Sequence, residues 1–173
     1  QGFLMLINPQ TGEPEFGMGS DNTARTIPDT AFNTSHISRN IVKEVIHTQK
    51  PILTDDALND KDLKGHESIL AYNIHALMCA PLMVRNSCIG AVYVDSRLVT
   101  RLFSPRHLNL LLAFCNQAAI AIDNARLFAD LNRAIQQVRE DKQYMDNIFG
   151  SIANGVVTTD ANGTITTFNA AAS

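Results

Sequence analysis

The chain has 173 residues, a net charge of −3 at neutral pH and 45 % hydrophobic residues. That length holds one ordinary domain plus an additional segment, and the apolar share is enough for a core. Scattered Lys and Arg argue against a nucleic-acid surface, which needs a clustered basic face, and no apolar run reaches the ~18 residues of a membrane span. Cys79, Cys88 and Cys115 are odd in number and lack paired spacing, which fits reduced thiols in a cytoplasmic protein.

In chain order, residues 3–7 and 15–20 read as the arms of a hairpin, with Pro9-Gln10-Thr11-Gly12 as its turn. Residues 21–34 are polar loop. Ile37, Ile41, Val42, Val45 and Ile46 then fall at helical spacing, one apolar stripe that Pro51 ends. "PILTD" is a short strand, and the stretch up to Ile74 is loop with one or two helical turns. "ALMCAPLMV" is an apolar strand whose Pro81 belongs at an edge or bulge. Arg85-Asn86-Ser87 turns, and "CIGAVYVDS" returns as a buried strand. This order predicts an α+β fold with a mostly antiparallel central sheet flanked by helices.

From Ser104 the pattern changes. Ser104 suits a helix cap and Pro105 the first helical position. No Gly or Pro follows until Gly150. One helix of about 45 residues is predicted, about 65 Å long at 1.5 Å per residue. Residues 108–122 are apolar on more than one side, so one face can cover the sheet while the surplus needs another partner. Beyond them Asn124, Phe128, Leu131, Ile135, Val138, Lys142, Met145 and Phe149 alternate at spacings of four and three. Such a seam indicates a two-stranded coiled coil, with Asn124 and Lys142 as polar interruptions that fix register or allow switching. The plainer alternative is a helix lying along its own domain. The expected homodimer interface comprises Leu108, Leu111, Cys115, Ile122, Phe128, Leu131, Ile135, Val138 and Met145. After the helix, "GVVTTD", the turn "ANG" and "TITTFN" read as a second hairpin.

The pieces "ALMCAPLMV", "CIGAVYVDS" and "FCNQAAIAIDNARLF" resemble a GAF domain, the last being close to the closing helix of that family. The resemblance covers residues 1–128, with the family's N-terminal helix missing. "YMDNIFGSIANGVVTTDANGTITTFNAAA" is similar to the start of a PAS domain. The organisation implied is a GAF domain over 1–128, a coiled-coil signalling linker over 129–149 and the truncated start of a PAS domain over 150–173. The resemblance implies a cytoplasmic sensory or regulatory module of a bacterial signal-transduction protein. Such a module dimerises and passes a ligand- or partner-dependent change through the helix to the PAS domain and a missing output domain, an adenylate cyclase or a histidine kinase. The alternative is a ligand-free dimerisation and interaction module with a filled core. This segment is not expected to be an enzyme, and no catalytic residue is assigned.

A ligand pocket, by the same resemblance, lies over one sheet face under a lid formed by residues 53–74. Glu67, Ser68, Tyr72 and His75 supply polar groups there, and Leu77, Cys79 and Tyr93 line it. Cyclic-nucleotide-binding members carry Asn-Lys, Phe and Asp-Glu after the last strand. Here Asp95-Ser96 and His107-Leu108 replace the first and third elements and only Phe103 matches. No cysteine suits attachment of a bilin. His75, Cys79, His66 and Cys88 lack the spacing of a zinc site, and no metal or haem is assigned. Asp55, Asp56, Asp60 and Asp62 lack the EF-hand spacing.

Overall fold

A computed structural model describes residues 1–20, 26–27, 38–60, 63 and 67–172; the side chains of Phe16, Thr26, Ile27, Glu67 and Ala170 lie outside that description. The chain divides into two compact units, Gln1–Asp123 and Asn124–Ser173.

The first unit is α+β. Its strands are β1 (Gly2–Ile7), β2 (Pro14–Ser20), β3 (Thr26–Ile27), β4 (Ile52–Thr54), β5 (Ala76–Val84) and β6 (Ser87–Ser96). They form one sheet in the order β3-β2-β1-β6-β5-β4, antiparallel at every pairing. Helix α1 (Arg39–Thr48) and the short α2 (Glu67–Ala71) belong to this unit. The long α3 (Pro105–Ser151) begins in it and continues into the second.

Alternation along the strands gives the sheet two apolar faces. Phe3, Met5, Leu77, Cys79, Ala91 and Tyr93 point to one side, where Ile41, Val42 and Val45 of α1 and Ile69 of α2 close the first core cluster. Leu4, Leu6, Ala80, Leu82, Val92 and Val94 point to the other side, where Cys115 and Ala119 of α3 close the second. The α1 stripe expected from the sequence is the buried one; Ile37 lies outside the described residues. The helix ends before Pro51 because Gln49 turns left-handed (φ 57) and donates its N–H to the Val45 carbonyl.

Pro81 sits where the sheet tolerates it. Strand β4 pairs only with residues 77–79 of β5, so beyond Cys79 no described strand requires a donor from that side. The β5–β6 register also shifts just past it, between Leu82 and Met83.

Ser104 and Pro105 begin α3 as their chemistry suggests. The Ser104 N–H donates to His107 Nδ1 (3.2 Å), and the Leu108 N–H donates to the Ser104 carbonyl. This is the side-chain-to-backbone half of a capping box, with an imidazole in the role usually taken by Glu or Gln.

In the second unit, β7 (Val157–Thr159) and β8 (Ile165–Phe168) form the expected hairpin, followed by a 3-10 turn at Ala170–Ala172. Asn169, buried, fastens it. Its Nδ2 donates to the carbonyls of Phe149, Ile152 and Asn154 at 3.0–3.2 Å, and its Oδ1 accepts the Val156 N–H. Orphan carbonyls at the end of α3 are thereby satisfied by one side chain.

Candidate functional site

The expected pocket residues end up on the first face of the sheet, in two groups. Leu77, Cys79 and Tyr93 are fully buried in the first core cluster. There they pack with Phe3, Met5 and the α1 stripe. Tyr72 is half-buried and packs against the same cluster. Ser68 donates its hydroxyl to Ser38 Oγ at 2.7 Å, joining α2 to the start of α1. The Glu67 side chain and His66 lie outside the described residues, as do residues 61, 62, 64 and 65 of the expected lid.

At the polar end of this face Tyr93 and His75 are joined by Asp95, which the sequence reading did not count among the pocket residues. Asp95 follows Tyr93 by two residues on β6 and shares its side of the sheet, with a fully buried carboxylate. Its Oδ1 stands 3.9 Å from Arg97 Nε and 4.0 Å from the Gln1 amine, while its Oδ2 has no hydrogen bond among the described residues. The Tyr93 hydroxyl and His75 Nδ1 are also buried without a hydrogen-bond partner among the described residues. Burial pushes the Tyr93 hydroxyl pKa up, and the neighbouring Asp95 charge adds to it. The signal available in the sequence was a lone carboxylate closing the apolar run "AVYVD".

Burial also raises the Asp95 pKa, against the opposing pull of the Gln1 amine and Arg97. The folded-state pKa therefore lies above the unfolded value of about 3.9. The folded chain holds the proton to higher pH, so stability falls as pH rises through that window. Asp95→Asn is thus expected to raise the melting temperature at pH 7, with the gain vanishing near pH 4. A variant that melts lower at pH 7 would mean that the charged carboxylate is fully paired in solution.

The cysteines divide by environment. Burial pushes the Cys115 thiol up to about 12 and the Cys79 thiol higher. Cys88 is half-buried, is raised by the same effect and donates to the Gly90 carbonyl. Thiolate is the reactive form. A colorimetric thiol titration of the native protein is expected to count one accessible sulfur, Cys88, with the other two appearing only on unfolding. Three fast thiols would contradict the burial.

The expected interface residues also separate. Cys115 is fully buried, its Sγ 4.0 Å from the Ala80 carbonyl oxygen, and Leu111 and Ile122 pack with it on the second sheet face. Cys115 is therefore a core residue and not an interface residue, because the sheet already occupies that side of α3. Leu108 is half-buried. On the same stretch the exposed large apolar side chains are Leu110, Phe114 and Ile120. In the second unit Phe128, Leu131, Ile135, Val138 and Met145 are all exposed in the single chain.

Among the described residues no three His, Cys, Asp or Glu side chains converge as metal ligands, and no helix is long and apolar enough to cross a membrane.

This arrangement recurs in known structures. A GAF domain from Synechocystis in its photoproduct state is similar with a TM-score of 0.57 at 17 % identity, covering 75 % of this chain and 85 % of that one. A domain assigned to a two-component sensor histidine kinase in Sinorhizobium meliloti gives 0.50 at 19 % identity, covering 77 % and 83 %. Among curated proteins, hybrid signal transduction histidine kinase G of Dictyostelium discoideum is 24 % identical over 115 residues, 64 % of this chain. The chain spans 3 % of that protein's length. The family profile of the GAF domain matches residues 3–122, the sheet together with α1, α2 and the sheet-packed part of α3. The chain therefore belongs to the GAF domain family.

Proposed function

We propose that this chain is a regulatory GAF module that works as a dimer and relays conformational change along α3. One observation carries the reading: a single helix is anchored to the sheet by Cys115 and Ala119 and continues into exposed apolar residues at heptad spacing. Such a seam stays solvated at a cost unless a like helix covers it. A shift in how the sheet holds α3 then alters the pairing of two helices, and a two-state change of that kind can be read downstream. The hairpin at 157–168 takes the place of the opening of a PAS domain. An output domain of the adenylate cyclase or histidine kinase class follows from the same reading, in a longer cytoplasmic protein.

A second reading has its own support. Among the described residues Tyr93 Oη, Asp95 Oδ2 and His75 Nδ1 are buried polar atoms without a hydrogen-bond partner, and such atoms carry a free-energy cost that a bound polar ligand would remove. Here the module is a small-molecule sensor. Native mass spectrometry separates the two. A dimer without adduct supports the relay with a filled core. A dimer with retained mass supports the sensor, and a monomer rules against both mechanisms.

A further inference from the structure

Between Asp95 and Asp123 the chain carries Arg97, Arg101 and Arg106 and no acidic residue, although its net charge is −3. These cations bracket the loop that leads from β6 to α3, and among them stand Leu98, Val99 and Leu102. All three apolar side chains are exposed, and Leu98, at 83 %, is the most exposed large apolar side chain among the described residues. The backbone beneath them is nevertheless pinned. The Val99 N–H donates to Ser96 Oγ (3.3 Å), and the Arg101 N–H donates to the Asp55 carbonyl (2.7 Å). Arg101 is left-handed (φ 56), a conformation that costs a residue with a side chain free energy. The fold thus holds three apolar side chains in water on a fastened loop, an arrangement that marks an interaction surface.

We infer that this loop docks on an anionic membrane surface, with Leu98, Val99 and Leu102 in the headgroup region and the Arg101 and Arg106 guanidiniums on lipid phosphates. The inference stands apart from the relay and sensor readings above. It needs no spanning segment, because an interfacial contact is made by a few apolar side chains backed by cations. Arg97 lies 3.9 Å from the Asp95 carboxylate, and exposed Asp55, on the segment that pins the loop, offsets part of the charge. Arg101 and Arg106, both exposed, supply the surplus. Each such cation strengthens binding to an anionic leaflet by about five-fold, and a guanidinium can grip a phosphate through two N–H groups.

A bilayer fits this surface better than a protein partner does. Beside the loop, Met78, Leu102, Phe103 and Leu110 help to line an open apolar groove of about 510 Å³, in which Leu98 and Val99 take no part. Those two stand clear of it. A protein partner would need a pocket shaped for them, whereas the acyl boundary accepts protruding side chains of any shape. The charge along residues 96–122 is also of one sign, which suits a surface of uniform opposite sign.

The chain has no Trp, so Leu98→Trp places a single fluorescent reporter on the loop. Met18→Trp, at an exposed site on β2, is the control. With vesicles of phosphatidylcholine and phosphatidylserine, Leu98→Trp is expected to shift its emission to the blue and to be quenched by brominated acyl chains, while Met18→Trp changes in neither respect. Co-sedimentation of the unaltered chain with the same vesicles guards against the interfacial affinity that Trp itself adds. There, Arg101→Gln with Arg106→Gln is expected to weaken binding about twenty-fold, and Leu98→Ser with Val99→Ser at least about ten-fold. Both pairs lie on the surface, and circular dichroism checks that the variants fold. Equal responses of the two Trp variants, or binding that survives Leu98→Ser with Val99→Ser, mean adsorption through another face and overturn the inference. Binding to pure phosphatidylcholine as tight as to the mixed vesicles also overturns it. So does absence of binding to either vesicle; a shift of Leu98→Trp on adding a helical Leu-Glu peptide would then give the loop a protein partner instead.

Discussion

Gly90→Ala is expected to destabilise the first unit more than any other single methyl addition. Gly90 pairs with Leu6 where β6 crosses β1. A Cβ at Gly90 would intrude into the Met5 carbonyl oxygen and stand 3.1 Å from Leu6 Cα. Both obstacles are backbone, so no rotamer change relieves them, and the strands must separate at the centre of the sheet. Overpacking where side chains can adjust costs about 1–3 kcal/mol; with the backbone as obstacle, about 3 kcal/mol or more is expected. For a chain of this size that corresponds to a fall in melting temperature of about 10 °C. Calorimetry on the purified variant checks it. A fall below about 3 °C would mean that β1 and β6 do not meet in this register. Gly150→Ala provides a contrast, since a Cβ there meets nothing within 4 Å.

Leu131→Asp combined with Ile135→Asp is expected to convert the protein to monomers without loss of helix. Both side chains are exposed in the single chain, so folding of one copy does not depend on them. In a paired seam they would place four carboxylates between two helices, each desolvated without a partner. A weakening of association by at least about a thousand-fold, about 4 kcal/mol, follows. Sedimentation velocity reads the outcome directly. If the double variant still sediments as a dimer, the seam of the second unit is not the contact. The search then moves to Leu110 and Phe114, because the Leu111–Cys115–Ile122 side is closed by the sheet.

The split of α3 into a sheet side and an exposed side shows how far local pattern reaches. The surplus of apolar residues over 108–122 announced two partners. It did not say which residues served which, and four of them, Leu108, Leu111, Cys115 and Ile122, were expected at the dimer contact. A helix offers several apolar stripes when it carries this many leucines and alanines. The choice among them is made by Ala80, Leu82 and Val92, which lie far off in sequence.

The same holds for the pocket. That Leu77, Cys79 and Tyr93 share a face followed from strand alternation alone. What packs on that face depends on segments distant in sequence, and Ile41, Val42 and Val45 of α1 are the side chains that meet it. The orphaned atoms of Tyr93, Asp95 and His75 are equally a product of packing. Periodicity cannot reveal a missing hydrogen bond.

What the sequence determined by itself is local. The hairpins, the α1 stripe, the start of α3 at Ser104-Pro105 and its unbroken run to Ser151 follow from residue spacing, turn chemistry and the absence of helix breakers. These are settled by neighbours within a few residues, where propensity and side-chain period act directly. Only the tertiary structure decided which faces meet. The pairing of β1 with β6, the side of α3 that lies on the sheet and the clasp of Asn169 on the end of α3 join segments from 15 to about 90 residues apart. Each is chosen by which apolar surfaces leave water together and which backbone groups find partners when they do, a competition among whole segments that no single stretch encodes.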